Sequence, residues 1–296
     1  MPTPIAHRAF YLLGPTAVGK TELAVQLAEC VGGEIIGADA YQIYRGIDLL
    51  SAKPSASQLS RVPHHLIGEV PLTEAFDVGK YRTLAEERIA DVLSRGLLPI
   101  VCGGNGLYIR ALTHGLSDVP SADPALRAEL EKEPLPVLVG RLLALDPASS
   151  VDFQNPRRVL RALEVCLLSG RPFSSYRSEW ESTPTLHGVI LTREREDLAA
   201  RIAARTEAMF AEGVIAEVAA VGPLSLTAAQ MLGLREIRAH LASELSRAAC
   251  LAALALATRQ YAKRQLTWFR RERGFQWLDL TTALEPLEQL LLMVES

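Results

Sequence analysis

The sequence GPTAVGKT, from Gly14 to Thr21, constrains the fold more than any other stretch of the chain. It fits the pattern G-x-x-x-x-G-K-[ST], a phosphate-binding loop (P-loop) whose glycines let backbone N–H groups converge on phosphate oxygens. Lys20 adds a positive charge, the Thr21 hydroxyl can bind a magnesium ion, and the helix that follows favours an anion at its N-terminus. The residues predicted to bind a diphosphate or nucleotide are Gly14, Pro15, Thr16, Ala17, Val18, Gly19, Lys20 and Thr21.

Strand and helix patterns alternate around this loop. Apolar runs at 9–13 and 97–106 predict buried strands, the second of which breaks at a double glycine, and GGEIIGADA predicts another strand that ends at Asp39. Helical periodicity follows the loop and covers 77–96 as well. This order predicts an α/β fold of the P-loop NTPase type, in which crossover helices flank a parallel sheet.

The pattern changes after Leu116. A loop rich in proline and aspartate is followed by three helical segments, at about 124–132, 136–145 and 155–169, and by a polar stretch at 178–186. HGVILT then returns to a strand pattern, and most of the remaining chain has helical periodicity. We therefore expect a catalytic core of residues 1–117 and 185–296, with a helical insertion at 118–184.

Composition excludes several classes of protein. The net charge of −3 gives the molecule no overall attraction for nucleic acid, so such binding needs a local basic face. Four cysteines without a CxxC pair argue against a zinc ribbon and against a disulfide framework. The longest apolar run, at 248–257, is too short to span a bilayer, and the N-terminus has no signal-peptide pattern. These features predict a cytoplasmic protein with no membrane contact.

Asp39 is the acidic residue best placed to act beside the loop. Most P-loops belong to kinases and nucleotide hydrolases, which usually carry a second strand that ends in an acid, but here LLPIVCGGNG ends in glycine and asparagine. Since the carboxyl ends of parallel strands gather at one edge of a sheet, Asp39 is expected to face the P-loop. The alternative interpretation of Asp39 is a turn or helix-capping aspartate.

Two basic stretches indicate a polyanionic ligand larger than a nucleotide. Arg157, Arg158 and Arg161 can share one helix face, and the segment RQYAKRQLTWFRRER carries six basic residues with three aromatic residues between them. Each stretch alone could be a solvated helix face, and the aromatic residues fit a role as core anchors. The two stretches together favour nucleic acid.

Seven segments, in order and spread over nearly the whole chain, resemble the tRNA dimethylallyltransferase family. They are GPTAVGKT, ADAYQIYRGIDLLSAKPS, VPHHLIGEV, CGGNGLYIRAL, NPRRVLRALEV, MLGLREI and TRQYAKRQLTWFR. The resemblance implies a monomeric transferase with a P-loop core, an insertion that binds the tRNA anticodon stem-loop, and Mg²⁺ as cofactor. Its donor would be dimethylallyl diphosphate, which loses pyrophosphate. Its acceptor would be the exocyclic amino group of the adenine 3′ of the anticodon, in tRNAs that read codons beginning with U.

The resemblance also assigns roles to residues. Asp39 would be the general base, Arg127 a further cation on the diphosphate, Asn105 a residue at the reacting group, and Thr21 the metal ligand. The residues assigned to tRNA are Asp39, Ala40, Tyr41, Gln42, Arg157, Arg158, Val159, Leu160, Arg161, Gln230, Gly233 and Arg235. The chain departs from the family pattern where Ala40, Asn105 and Asn155 replace a serine, a threonine and an aspartate.

Three other functions remain open at the level of sequence. A small-molecule kinase or nucleotide hydrolase would share the P-loop. A prenyltransferase acting on free adenine nucleotides, as in cytokinin synthesis, would share the chemistry, although the basic insertion favours tRNA. A non-catalytic RNA-binding module is supported only by the departures from the family pattern.

Overall fold

Six parallel strands form a sheet in the computed structural model, which describes residues 5–116, 119–176 and 186–295. Along the sheet the strand order is β3-β2-β4-β1-β5-β6. The strands are β1 Phe10–Leu13, β2 Gly33–Ala38, β3 His64–His65, β4 Leu98–Gly103, β5 His187–Thr192 and β6 Gln276–Asp279. The predicted α/β fold with a parallel sheet is confirmed.

Helices flank the strands and continue beyond them. The described helices are α1 Lys20–Val31, α2 Asp48–Ser51, α3 Ala56–Arg61, α4 Val78–Ser94, α5 Gly106–His114, α6 Pro124–Leu130, α7 Leu135–Leu145, α8 Pro156–Ser169, α9 Arg195–Glu212, α10 Val214–Ala219, α11 Leu234–Leu241, α12 Arg247–Phe269 and α13 Pro286–Glu295. The three helical segments predicted after Leu116 are present as α6, α7 and α8. Among the described residues, no helix has both the length and the apolar character needed to cross a membrane.

Strand β1 is buried on both of its faces. Tyr11 and Leu13 pack into one apolar cluster, and Phe10 and Leu12 pack into a second cluster. A strand at the centre of a parallel sheet is covered by helices on both sides, so it is apolar at every position. This explains why the sequence before the P-loop is a continuous apolar run without alternation.

The ends of the helices follow from local sequence. Asn155 accepts a hydrogen bond from the N–H of Arg158 and caps α8, whose first residue is Pro156. The helix ends at Gly170, which has a left-handed conformation with φ of 66°. Asparagine is as good an N-cap as aspartate. The replacement of aspartate by Asn155 therefore keeps the cap that begins this helix.

Contacts divide the chain into two compact units. The core unit comprises Met1–Thr113 and Pro184–Ser296, and the helical unit comprises His114–Thr183. The helical unit has its own apolar core, formed by Leu130, Leu138, Leu142, Val159, Leu160, Ala162, Leu163 and Cys166. The predicted boundaries at 118 and 184 lie outside the described residues.

Candidate active site

The register of the sheet brings three segments to one edge of the core unit. Leu13 pairs with Gly103, and Ala38 pairs with the same residue from the other side of β4. The P-loop follows β1, Asp39 follows β2, and Gly104 follows β4. All three segments therefore leave the sheet at its carboxyl edge, where ligands bind in open α/β folds.

The P-loop is held in one conformation by its glycines and by its lysine. Gly14 and Gly19 have φ of 151° and 111°. A Cβ on Gly14 would lie 2.6 Å from the carbonyl oxygen of Leu191, so only glycine fits there. Lys20 Nζ donates hydrogen bonds to the carbonyl oxygens of Gly14, at 2.9 Å, and Pro15, at 2.6 Å.

The charge of Lys20 is sensitive to its surroundings. Atoms packed around the ammonium group lower the pKa of Lys20 to about 8, because desolvation disfavours the charged form. Cys102 and Asp39 oppose this effect, and the positive charge of Arg205 adds to it. An anion bound beside Lys20 would stabilise the charged form.

A cavity of about 600 Å³ opens at this edge of the sheet. From the P-loop and the following strand ends it is lined by Thr16, Ala17, Gly19, Lys20, Thr21, Asp39, Gly103 and Gly104. From α9 it is lined by Arg201, Ala204, Arg205, Ala208, Met209 and Glu212. The spacing of three and four residues on α9 describes one helix face, and the two alanines leave room for a ligand.

Asp39 lies at the cavity and also makes a turn. Its Oδ1 accepts hydrogen bonds from the N–H groups of Tyr41, at 2.8 Å, and Gln42, at 3.3 Å. Its Oδ2 accepts no hydrogen bond from the part of the chain that the structure describes. The turn therefore fixes the carboxylate at the cavity and leaves Oδ2 available to a ligand.

Three arginines before and along α9 bond to consecutive positions of the P-loop. Arg205 Nη1 lies 3.2 Å from Thr16 Oγ1, Arg201 Nε donates to the carbonyl of Ala17 at 2.9 Å, and Arg193 Nε donates to that of Val18 at 2.8 Å. Burial lowers the pKa of Arg205, whereas Asp39 opposes the shift. Sequence analysis missed these arginines.

The signal that could have revealed two of them is their spacing. Arg201 and Arg205 are four residues apart, on the same helix face as Ala204 and Ala208. This face therefore combines two positive charges with two small side chains.

Gln265 was missed as well. From α12, its Oε1 accepts a hydrogen bond from the N–H of Thr16 at 2.8 Å, and its Nε2 donates to the carbonyl of Gly104 at 2.8 Å. A Cβ on Gly104 would lie 2.3 Å from that Nε2 atom, so the close approach needs glycine. Gln265 thus joins the loops after β1 and β4. It belongs to a segment that the sequence assigned to a basic face and to the family resemblance, with no role for Gln265 itself.

A second cavity, of about 60 Å³, shares part of this lining. Thr16, Asp39 and Arg205 border both cavities. Most of its other lining residues are apolar: Leu50, Ile202, Met209, Met231, Leu232, Leu254 and Tyr261. The arrangement places a small apolar pocket next to a cationic one, with a carboxylate at their shared border.

Asn105 lies at the start of α5 and caps it. Its Oδ1 accepts hydrogen bonds from the N–H groups of Leu107, at 3.1 Å, and Tyr108, at 3.3 Å. Among the described residues it is not part of the lining of either cavity. Its side chain therefore contributes to the helix N-terminus, a role that the strand-end position did not reveal.

Of the other core-unit residues that the sequence assigned to tRNA binding, some lie close together in the structure. Tyr41 Oη donates to the carbonyl of Gln230 at 2.8 Å, which joins the segments around 41 and 230. Gln42 Nε2 donates to the carbonyl of Ala52 at 2.7 Å. Three further positions are Ala40, packed against the core; Gly233, with φ of 89° before α11; and Arg235, whose side chain is 92% exposed.

In the helical unit, two of the assigned arginines share one carboxylate. Arg127 Nη2 and Arg161 Nη1 each lie 2.7 Å from Oε2 of the buried Glu164. The N–H of Asp123 donates to its Oε1 at 3.0 Å. Burial raises the pKa of Glu164, but the hydrogen bonds from the two arginines outweigh it, and the pKa is lowered.

The other assigned residues of α8 fall into two groups. Arg157 and Arg158 are exposed, so they are available to a polyanion. Val159 is fully buried and Leu160 is 8% exposed, and both side chains belong to the core of the helical unit. The side chains of Val159 and Leu160 therefore stabilise the helical unit, and the exposed Arg157 and Arg158 are the ones positioned to contact a ligand.

The described residues contain no group of three or more His, Cys, Asp or Glu side chains that could hold a metal. The donors near the P-loop are instead the Thr21 hydroxyl and the Asp39 carboxylate, both at the larger cavity. Mg²⁺ binds with few protein oxygens when substrate phosphates and water complete its coordination. The donor set fits a magnesium ion that arrives with a diphosphate.

Comparison with known proteins gives a consistent result. A family model described as IPP transferase matches residues 42–272. A protein of Akkermansia muciniphila named tRNA dimethylallyltransferase is 43% identical over 270 residues, 90% of this chain and 91% of that protein. The tRNA dimethylallyltransferase 1 of Citrifermentans bemidjiense is also 43% identical, over 92% of each chain.

Two solved structures extend the similarity to the fold. The full-length tRNA isopentenylpyrophosphate transferase from Bacillus halodurans matches with a TM-score of 0.71 and 33% identity, over 98% of this chain and 95% of that one. A eukaryotic dimethylallyltransferase acting on tRNA matches with a TM-score of 0.77 and 26% identity. That match covers 92% of this chain and 73% of the eukaryotic one.

Proposed function

The chain belongs to the IPP transferase family, and we propose on that basis that it transfers a dimethylallyl group to tRNA. The donor is dimethylallyl diphosphate. The acceptor is the exocyclic amino group of the adenine 3′ of the anticodon, in tRNAs that read codons beginning with U. The observation that carries the proposal is the position of Asp39, which borders both the cationic cavity and the apolar pocket.

Each half of the donor has a matching environment. The diphosphate suits the larger cavity, where the P-loop, Lys20 and Arg205 offer N–H groups and positive charge. The five-carbon group suits the small apolar pocket beside it. The bond that breaks joins these two halves, so it would lie near their shared border, within reach of Asp39.

The reaction then follows from charge and proton balance. The lone pair of the adenine nitrogen attacks the first carbon of the dimethylallyl group, and the electrons of the carbon–oxygen bond leave with pyrophosphate. The carboxylate of Asp39 accepts the proton that the nitrogen loses. Lys20, Arg205 and the P-loop N–H groups stabilise the charge that develops on the departing diphosphate.

Magnesium would be held by the Thr21 hydroxyl together with phosphate oxygens and water. When bound, it would neutralise part of the charge of the leaving group. Lys20 would add positive charge beside the same phosphates, because its ammonium group donates hydrogen bonds to two P-loop carbonyls.

The acceptor adenine must leave its stack to reach Asp39. Extrusion costs a few kcal/mol, and least for a base in a single-stranded loop, which suits an anticodon loop. We infer that three residues border the path of the base: Tyr41 and Gln42, whose N–H groups bond to Asp39, and Gln230, whose carbonyl accepts a hydrogen bond from Tyr41 Oη. The exposed Arg157 and Arg158 would bind tRNA phosphates.

The test is nucleoside analysis of tRNA after incubation with the protein, dimethylallyl diphosphate and magnesium. We expect one prenylated adenosine per tRNA that reads codons beginning with U. A tRNA in which guanosine replaces that adenosine serves as the matched control, and free AMP serves as a competing acceptor. Rapid ATP hydrolysis with unmodified tRNA would instead favour a P-loop hydrolase, and modification of AMP alone would favour a cytokinin-type enzyme.

A further inference from the structure

We propose that Arg193 and Arg201 are positioning residues that orient two peptide groups of the P-loop toward the diphosphate. The proposal rests on the proposed function, because it names the residues that prepare the same site. Arg201 Nε donates to the carbonyl oxygen of Ala17 at 2.9 Å, and Arg193 Nε donates to that of Val18 at 2.8 Å. Two guanidinium groups thus hold two consecutive carbonyls of the loop.

Fixing a carbonyl also fixes the N–H group of the same peptide. The described chain has no cis peptide bonds, and in a trans peptide the C=O and N–H groups point in opposite directions. The N–H groups of Val18 and Gly19 therefore point away from the two arginines. Neither N–H has an acceptor among the described residues. Both N–H groups are therefore available to phosphate oxygens.

The loop needs this external support because of Ala17. Its φ is 64°, in the left-handed region that residues other than glycine rarely adopt. The sequence of the loop does not favour this conformation by itself. The bond from Arg201 to the Ala17 carbonyl holds the residue in place from outside, where other proteins would use a glycine.

Other contacts show where the two guanidinium groups lie beside the loop. Arg193 Nη1 pairs with Asp197 Oδ2 at 2.7 Å, which fixes the side chain that bonds to Val18. A Cβ on Gly19 would lie 3.7 Å from Arg201 Nη2 and 3.9 Å from Arg193 Nη2. Both side chains therefore meet at the last glycine of the loop, immediately before Lys20.

The experiment measures binding of inorganic pyrophosphate, with magnesium, to the whole protein by calorimetry. The variants are Arg193→Ala, Arg201→Ala and the double variant. Arg195→Ala is the matched control, because it removes one positive charge from an exposed position at the start of α9. Thermal unfolding of each variant shows whether a loss of affinity comes from a loss of folding.

We expect each single variant to bind pyrophosphate about tenfold more weakly, since each loses one hydrogen bond made by a charged group. The loss of binding free energy in the double variant should be smaller than the sum of the losses in the two single variants, because both arginines act on adjacent peptides. KM for dimethylallyl diphosphate should rise while tRNA affinity stays within twofold. Methylguanidine added to Arg201→Ala should restore part of the affinity, which a merely structural defect would not allow.

Other outcomes separate this proposal from the proposed function. Pyrophosphate affinity within about twofold of the wild type in both single variants would overturn the positioning role and leave the transferase proposal standing. An equal loss in Arg195→Ala would also overturn it, because charge at a distance would then explain the effect. If the wild-type protein modifies no tRNA and binds no pyrophosphate, both proposals fail.

Discussion

The two units use arginine in different ways. In the core unit, Arg193 and Arg201 donate to P-loop carbonyls. In the helical unit, Arg127 and Arg161 share the carboxylate of Glu164. A carbonyl accepts a hydrogen bond without cancelling the charge of the donor, whereas a carboxylate cancels one unit of charge. Arg201 thus keeps its positive charge at the cavity of the core unit, whereas Arg193 also pairs with Asp197. In the helical unit, Glu164 neutralises part of the charge of Arg127 and Arg161.

This difference bears on the role of Arg127. The family resemblance assigns it to the diphosphate, yet its guanidinium is bonded to a buried carboxylate within its own unit. An anion that contacts Arg127 would therefore also meet the negative charge of Glu164.

The largest effect is expected from Asp39→Asn in the core unit. The amide keeps an oxygen that can accept from the N–H groups of Tyr41 and Gln42, so the turn should remain. It cannot take a proton from the attacking amino group, so the single-turnover rate should fall by about 10²–10⁴-fold. Binding of tRNA and pyrophosphate should change little. A variant with more than a tenth of the wild-type rate would remove Asp39 as the base.

The next effect concerns Glu34, a buried carboxylate of the core unit. A hydrogen bond from Arg95 lowers the pKa of Glu34 to about 2, although burial of the carboxylate opposes this shift. His65 also forms a hydrogen bond with the carboxylate. In the unfolded chain the pKa of glutamate is about 4.3. Since the folded pKa is the lower one, Glu34 stabilises the fold fully above about pH 5 and loses this contribution as the pH falls toward 2.

Urea unfolding at pH 6 and pH 3 measures this contribution. The wild type should lose about 2 kcal/mol more than Glu34→Gln over this interval. The glutamine variant is the matched control, because it keeps the shape and cannot titrate. Equal pH dependence in both proteins would contradict the assignment.

Glu164→Gln tests the corresponding carboxylate of the helical unit. The variant leaves Arg127 and Arg161 without their shared negative partner and should destabilise the helical unit by about 1–3 kcal/mol. Because α8 also carries Arg157 and Arg158, loosening of this helix should lower the affinity for tRNA despite the added positive charge. Pyrophosphate affinity should stay within twofold if the diphosphate site belongs to the core unit. A parallel loss of pyrophosphate affinity would instead support a role for the Arg127–Glu164 pair at the diphosphate.

The sequence predicted what depends on short-range pattern. The strand, loop and helix around Gly14–Thr21 gave the parallel sheet, and the rule for strand ends led to Asp39. It did not predict Arg193 or Gln265, because their partners in the loop lie 175 and 249 residues away, and such contacts depend on how distant helices pack. The family resemblance assigned Asn105 to the reacting group, and it did not reveal that this side chain caps α5.

The smallest effect is expected from Arg158→Ala, on the exposed face of the helical unit. If Arg158 binds one tRNA phosphate, affinity should fall several-fold, and the slope of log affinity against log salt should become shallower by about 0.7–1. Arg141→Ala is the matched control, because Arg141 is also exposed in this unit but bonds to Glu133. Pyrophosphate affinity should not change in either variant. If Arg158→Ala lowered the affinity for tRNA and the affinity for pyrophosphate equally, the helical unit would contribute to diphosphate binding, which we assign to the core unit alone.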